Sequence, residues 1–171
     1  MMNNFSKNIR EQLIKRANKL KNRMVNSRIA DPTKIKGCSE EEILVLEKAC
    51  ELSLPYSYKM FLRYFGHSLG GRVMNDVEIN YNSVFSLIDD LKDFQSDDEE
   101  PKFPQNTFFF SARYKQQYLF FNLSDANEDP PIFNYTVGHD YFRQTSDSIF
   151  DFLEEEIELT EFAVSRMKNK K

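Results

Sequence analysis

Residues Gly37–Gly66 read GCSEEEILVLEKACELSLPYSYKMFLRYFG, and this stretch sets the class of the fold. Ser39 and Glu42 stand at the spacing of a capping box, in which each side chain serves the other residue's backbone N–H. Glu40 and Glu41 add negative charge at the positive end of the same helix dipole. Ile43, Leu46 and Cys50 mark one buried side. Pro55 suits the first turn of a second helix, where its missing N–H costs nothing. Tyr58, Phe61, Leu62 and Phe65 follow at i, i+3, i+4 and i+7, and Gly66 ends the run. The spacing predicts two amphipathic helices meeting at Leu54-Pro55, with no evident chemistry on either.

Upstream, Ile9, Leu13, Ala17, Leu20 and Met24 recur at helical steps, which predicts a helix over residues 5–27 that Asp31-Pro32 brings to an end. Lys and Arg fill the positions between. Residues 1–36 hold ten Lys/Arg against two acids, a balance of +8, and the rest of the chain carries -12, which together give the net charge of -4. A basic amino-terminal helix thus precedes an acidic body. Such a segment is either an interaction arm for a membrane surface or nucleic acid, or a helix packed against its own acidic domain. The expected organisation is a basic helical extension over 1–35, an α+β domain over 36–165 and a basic tail over 166–171.

Downstream the texture changes. Val77, Ile79 and Tyr81 alternate with polar residues and predict a half-buried strand; Val84, Leu87, Ile88 and Leu91 predict a short helix over 84–94. An acidic, proline-bearing loop follows from Gln95 to Asn106. Thr107–Arg113 and Tyr118–Leu123 flank a polar connection and predict a hairpin. Ser124–Pro131 is a second acidic turn. Ile132–Val137 predicts another strand, Gly138-His139-Asp140 a turn, and Tyr141–Gln144 a segment pairing back. Ser148 and Asp151 resemble a capping pair, opening a last helix that turns Ile149, Phe152, Leu153 and Ile157 inward. With 16 Phe, 8 Tyr and no Trp, many of them in these runs, the sheet's buried face is expected to be aromatic. The class is α+β: amino-terminal helices, a central antiparallel meander, and a carboxy-terminal helix packed on one face.

Few positions offer chemistry. No apolar run approaches the roughly 20 residues that span a bilayer, and the amino terminus lacks a signal-peptide pattern, so the cytoplasm is the expected compartment. Cys38 and Cys50 are not spaced for zinc or a disulfide framework. His67 and His139 have no ligand partner at metal spacing. There is no G-x-S-x-G nucleophile turn, and Gly70-Gly71 is not followed by the lysine of a phosphate cradle. No catalytic residue, cofactor or metal site is expected; an enzyme built from residues distant in sequence would draw on His67, His139 and Tyr141. The Asp125–Asp129 turn has oxygen ligands without the EF-hand order. The acidic loops instead suggest a charged surface for a basic partner, carried by Asp97, Asp98, Glu99, Glu100, Asp125, Glu128 and Asp129.

The run Gly37, Ser39, Ile43, Leu46-Glu47, Leu54-Pro55, Tyr58, Phe61-Leu62 and Phe65-Gly66 resembles the amino-terminal signature of the SUKH superfamily. Asp129-Pro130-Pro131-Ile132 before a strand, and the segment from Asp147 to Leu153, resemble its closing half. The similarity spans about residues 36–160. The turn Tyr114–Gln117 stands where the family usually has glycines, and the family's common Trp is absent. The resemblance implies an α+β domain without shared catalytic residues. Bacterial members are mostly immunity proteins that bind and neutralise toxins, often nucleases or deaminases; fungal relatives regulate cell-wall assembly as scaffolds. It therefore implies a non-enzymatic protein-binding domain, an immunity protein whose toxin partner presents a basic surface, with no direct nucleic-acid contact. The alternative is a scaffold for cell-wall or envelope assembly that docks through its basic helix.

Overall fold

A computed structural model describes residues 4–74 and 76–168. Residues 1–3 of the extension, Asn75, and residues 169–171 of the basic tail lie outside the described residues. Helix α1 (Asn4–Asn26) leads into strand β1 (Ala30–Lys36), followed by helices α2 (Glu40–Cys50) and α3 (Tyr56–Phe65). Strand β2 (Ser68–Gly71) and helix α4 (Tyr81–Ser96) precede the meander β3 (Thr107–Arg113), β4 (Gln117–Asn122), β5 (Ile132–Thr136) and β6 (Arg143–Ser146). Helix α5 (Ile149–Lys168) closes the chain. The meander is one antiparallel sheet in the order β3-β4-β5-β6, while β1 and β2 form a separate antiparallel pair. The class is α+β.

The larger sheet is buried on both faces, so successive residues of β3 belong to different cores. Phe108 and Phe121, partners across the strands, face α3, where Tyr58 meets them at ring distances of 5.5 and 5.6 Å. Phe109 and Phe120 face the other way, with Tyr118 and Tyr135, and are covered by Leu87 and Phe94 of α4 and by Phe103 of the following loop. The register shifts between Phe109 and Ser111. Phe110 follows Phe108 onto the α3 side, stacked on Phe121 at 4.5 Å, and the bulge shifts the phase so that Ala112 joins Phe109 in the other core.

Helix α1 is part of the first core. Leu13, Ala17, Leu20 and Met24 are all buried with α3 and α5. On its flank, Arg16 pairs with Asp151 and Glu154, and Arg23 with Glu154, Glu158 and Glu161. The pairs climb in step, so α1 and α5 run side by side in the same direction. Two of the ten basic residues of the amino-terminal segment, Arg16 and Arg23, are thus met by acids of the last helix.

The capping box at Ser39–Glu42 forms as the sequence indicates, with both reciprocal bonds present. Glu47 then fixes the joint: its Oε1 accepts the Leu54 N–H at 2.8 Å and lies 2.6 Å from Lys59 Nζ. Ser148 Oγ accepts the Asp151 N–H at 3.1 Å and opens α5. Elsewhere the expectations need correction. Val77–Tyr81 is not a strand; it makes one isolated bridge, Glu78 to Ala112, before the Asn80 side chain caps α4 and takes Tyr81 into the helix. Strand β1 runs through Pro32, which is tolerated because pairing with β2 is irregular between Ala30 and Ile35. Gly71 serves this pair: a Cβ there would overlap the Ile29 carbonyl. The last strand sits slightly later than Tyr141–Gln144.

The Tyr58 ring is fully buried, yet its hydroxyl makes no hydrogen bond among the described residues. A buried hydroxyl without a partner carries an uncompensated desolvation cost. Tyr58→Phe is expected to raise stability by about 1 kcal/mol in urea unfolding; a loss of that size would reveal a partner for the hydroxyl. Removing residues 1–26 is expected to abolish cooperative unfolding, because burying each of Leu13, Leu20 and Met24 is worth about 1.5–3 kcal/mol and a domain's total stability is only about 5–15. A truncated chain that melts like the full one would contradict this.

Candidate functional site

Both acidic loops leave the same end of the four-stranded sheet. Thr107 at the start of β3 pairs with Asn122 at the end of β4, and the Leu123 N–H donates to the Asn106 carbonyl at 2.9 Å. From this shared root the loops part to opposite faces.

The first loop turns over the α4 core. Phe103 anchors it, packing 5.1 Å from Tyr135 and 4.8 Å from Phe142 between ring centres. Glu100 adds a second tie, accepting the Tyr135 hydroxyl. Burial, with Asp97 and Glu99 nearby, holds the Glu100 carboxyl above its ordinary range. Asp97 accepts the Glu99 N–H at 2.9 Å, and Asp98 meets Lys102 at 3.3 Å. Between these ties Asp97, Asp98 and Glu99 are exposed.

The second loop turns toward α1 and α3. The Ser57 N–H donates to the Glu128 carbonyl at 2.9 Å, and Glu128 Oε1 takes Arg10 Nη2 at 2.6 Å. The Arg10 guanidinium also lies over the Tyr56 ring, 4.6 Å from its centre. Asp129 is tucked inside. Burial pushes its carboxyl up to about 6, against the opposing pull of Ser57 and Arg16, with Asp151 reinforcing the rise. Asp125 remains exposed.

A cleft of about 570 Å³ opens between this loop and the Leu54-Pro55 joint, lined by Arg10, Tyr56, Lys59, Asn106, Asp125 and Glu128 among others. Within it Arg10 pairs with Glu128, and Lys59 reaches Glu47 at the joint, while Asp125 is exposed. A smaller cavity of about 210 Å³ lies between the sheet and α5, where Glu156 is held above its usual range by burial, opposed by Arg113. His67 touches Glu42 and Tyr81, whereas His139 packs against Tyr141; no hydrogen bond or ring contact among the described residues links His67 to the other two.

Sequence reasoning missed two groupings. Arg10, Tyr56 and Lys59 belong to the cleft, and only the proximity of Tyr56 and Lys59 to the Leu-Pro joint hinted at it. Cys38, Glu42 and His67 also come together, each offering a ligand atom within 4.8 Å of the others. These are the residues that could hold a metal. No helix among the described residues is long and apolar enough to cross a membrane.

Residues 37–155 match the model of the SMI1 / KNR4 family (SUKH-1), a span that begins just before α2 and ends within α5. Among curated proteins no match to the chain is found.

Asp129 gives the site a pH signature. Its ordinary value is 3.8 and its folded value about 6. Between these limits the folded chain keeps a proton that the unfolded chain has released, so this group lowers stability as pH rises through the window. Asp129→Asn is expected to lose that component, so that stability measured by denaturant at pH 7 relative to pH 4 is higher in the variant than in the parent. Parallel profiles for the two chains would contradict the burial of this carboxyl.

Proposed function

Because the chain belongs to the SMI1 / KNR4 family (SUKH-1), whose members are generally non-catalytic immunity or regulatory proteins, we propose that it is a binding module that neutralises a cognate toxin. The observation that carries this reading is the fixed acidic end of the sheet. Asp97, Asp98, Glu99 and Asp125 present charge, while Glu100, Glu128 and Asp129 fasten the two loops that bear it. Charge held on anchored loops steers a basic partner without the entropy cost of ordering the loops on contact. Toxins that act on nucleic acids, nucleases or deaminases, need basic substrate grooves, and an acidic surface of this kind can occupy such a groove in place of phosphate.

The alternative is a scaffold for cell-wall or envelope assembly that docks through its basic amino-terminal helix. That role asks α1 to be available, whereas its apolar face is buried against α3 and α5, and Arg16 and Arg23 are paired with acids of α5. The immunity reading needs no such release.

Affinity capture from the native cell, followed by co-expression with the captured protein, tests the class: rescue from a toxic partner is expected. The charge placement is tested by Asp97→Asn, Asp98→Asn, Glu99→Gln and Asp125→Asn combined. Association at low salt is expected to slow by about 10-fold or more, with a flatter salt dependence. Unchanged association kinetics would sink the placement.

A further inference from the structure

At the opposite end of the α2–α3 pair from the cleft, three side chains of different liganding chemistry meet. Cys38 lies just before α2, Glu42 in its first turn, and His67 just after α3. Their ligand atoms, a thiol sulfur, a carboxylate oxygen and an imidazole nitrogen, are within 4.8 Å of one another. Glu42 Oε1 and His67 Nε2 are 2.9 Å apart. We infer that Cys38, Glu42 and His67 form a binding site for a zinc-class divalent cation, with water completing the coordination.

The chemistry selects the class of ion. Magnesium and calcium take oxygen ligands, whereas a thiolate with an imidazole and one carboxylate is a set for zinc and its neighbours in the first transition row. Metal–ligand bonds of roughly 2.0 Å to nitrogen and oxygen and 2.3 Å to sulfur place tetrahedral ligand atoms roughly 3.3–3.5 Å apart. The Glu42–His67 hydrogen bond therefore opens by about half an ångström to admit the ion.

The backbone around the three residues is already fixed. The Cys38 N–H donates to the Leu62 carbonyl at 2.8 Å, and the His67 N–H to the Lys36 carbonyl at 3.0 Å. Gly66 lies against the sulfur so closely that a Cβ would overlap it. The second Glu42 oxygen accepts the Ser39 N–H at 2.8 Å, which orients the carboxylate from behind. The His67 ring stands edge-on to Tyr81, whose hydroxyl donates to the Glu42 carbonyl. Such supporting contacts are what hold metal ligands in place. Access is open on one side, since the His67 and Glu42 side chains are 30% and 37% exposed.

The Cys38 thiol is the group that opposes binding in the metal-free chain. Burial, and then the Glu42 carboxylate beside it, push it up to about 12. A cation reverses this balance, because it neutralises thiolate and carboxylate together. Binding releases the thiol proton and ties the segment before α2 to the residue after α3.

Metal-free full-length chain is titrated with Co²⁺ and followed by the thiolate-to-cobalt charge-transfer absorption, then with Zn²⁺ as competitor. One equivalent of cobalt is expected to bind with this absorption, and zinc to displace it. Cys38→Ser is expected to lose the band. His67→Ala and Glu42→Gln are expected to weaken binding by more than the roughly 10–100-fold that a supporting residue costs. Cys50→Ser is expected to leave the titration unchanged. His67→Ala and Glu42→Gln alter half-exposed side chains, so they carry the test if Cys38→Ser fails to fold. Absence of the band in the folded parent, its persistence in His67→Ala at parental affinity, or its loss in Cys50→Ser would each overturn the site.

Discussion

The contact between Tyr58 of α3 and the rings of Phe108, Phe110 and Phe121 is the constraint on which the remaining structure depends. It seats a helix on a sheet whose opposite face is also covered, so it fixes which residues of β3 and β4 look toward which core. Phe110, two residues on from Phe108, adds the third aromatic ring on the α3 side. The seating of α3 is set in turn by Glu47, which grips the Leu54 N–H and the Lys59 ammonium across the joint. Ser57, next to Tyr58, then accepts the acidic loop by donating its N–H to Glu128. Aromatic packing thereby determines where exposed charge appears.

Charge plays two roles that the net balance conceals. The flanking pairs of α1 with α5 are partly exposed, and such pairs each add about 0–1 kcal/mol. Their contribution lies more in the register of two parallel helices than in stability, which comes from the buried stripe between them. At the end of the sheet the acids divide by the same logic. Glu100, Glu128 and Asp129 are drawn inward by Tyr135, Arg10 and burial beside Ser57. Asp97, Asp98, Glu99 and Asp125 face solvent.

What was legible in the sequence was local. The capping box at Ser39–Glu42, the Leu-Pro joint, the hairpin from Thr107 and the Ser148–Asp151 cap each depend on residues a few positions apart, and each formed. The errors arose where two local signals compete or where a partner distant in sequence decides. Val77, Ile79 and Tyr81 alternate like a strand, but the Asn80 cap competes for the same residues and wins. Strand β1 was not foreseen after Asp31-Pro32; the irregular pairing with β2 leaves the missing N–H of Pro32 outside the ladder. Gly70-Gly71 showed in sequence only that no phosphate-cradle lysine follows; the close approach of Ile29 explains the second of them. The same limit applies to function: Cys38, Glu42 and His67 share no motif spacing, and the inward turn of Asp129 depends on a helix far upstream.

The pairing of α1 with α5 also bears on how the protein is made. Helix α1 leaves the ribosome well before α5, the helix it is laid beside. At about 5–20 residues per second of synthesis, α1 waits on the order of ten seconds for that neighbour. During this interval the arginines that will meet α5 lack their acidic counterparts, and part of the apolar stripe stays uncovered. Emergence of α5, rather than of the central sheet, is therefore the event that seals this pairing.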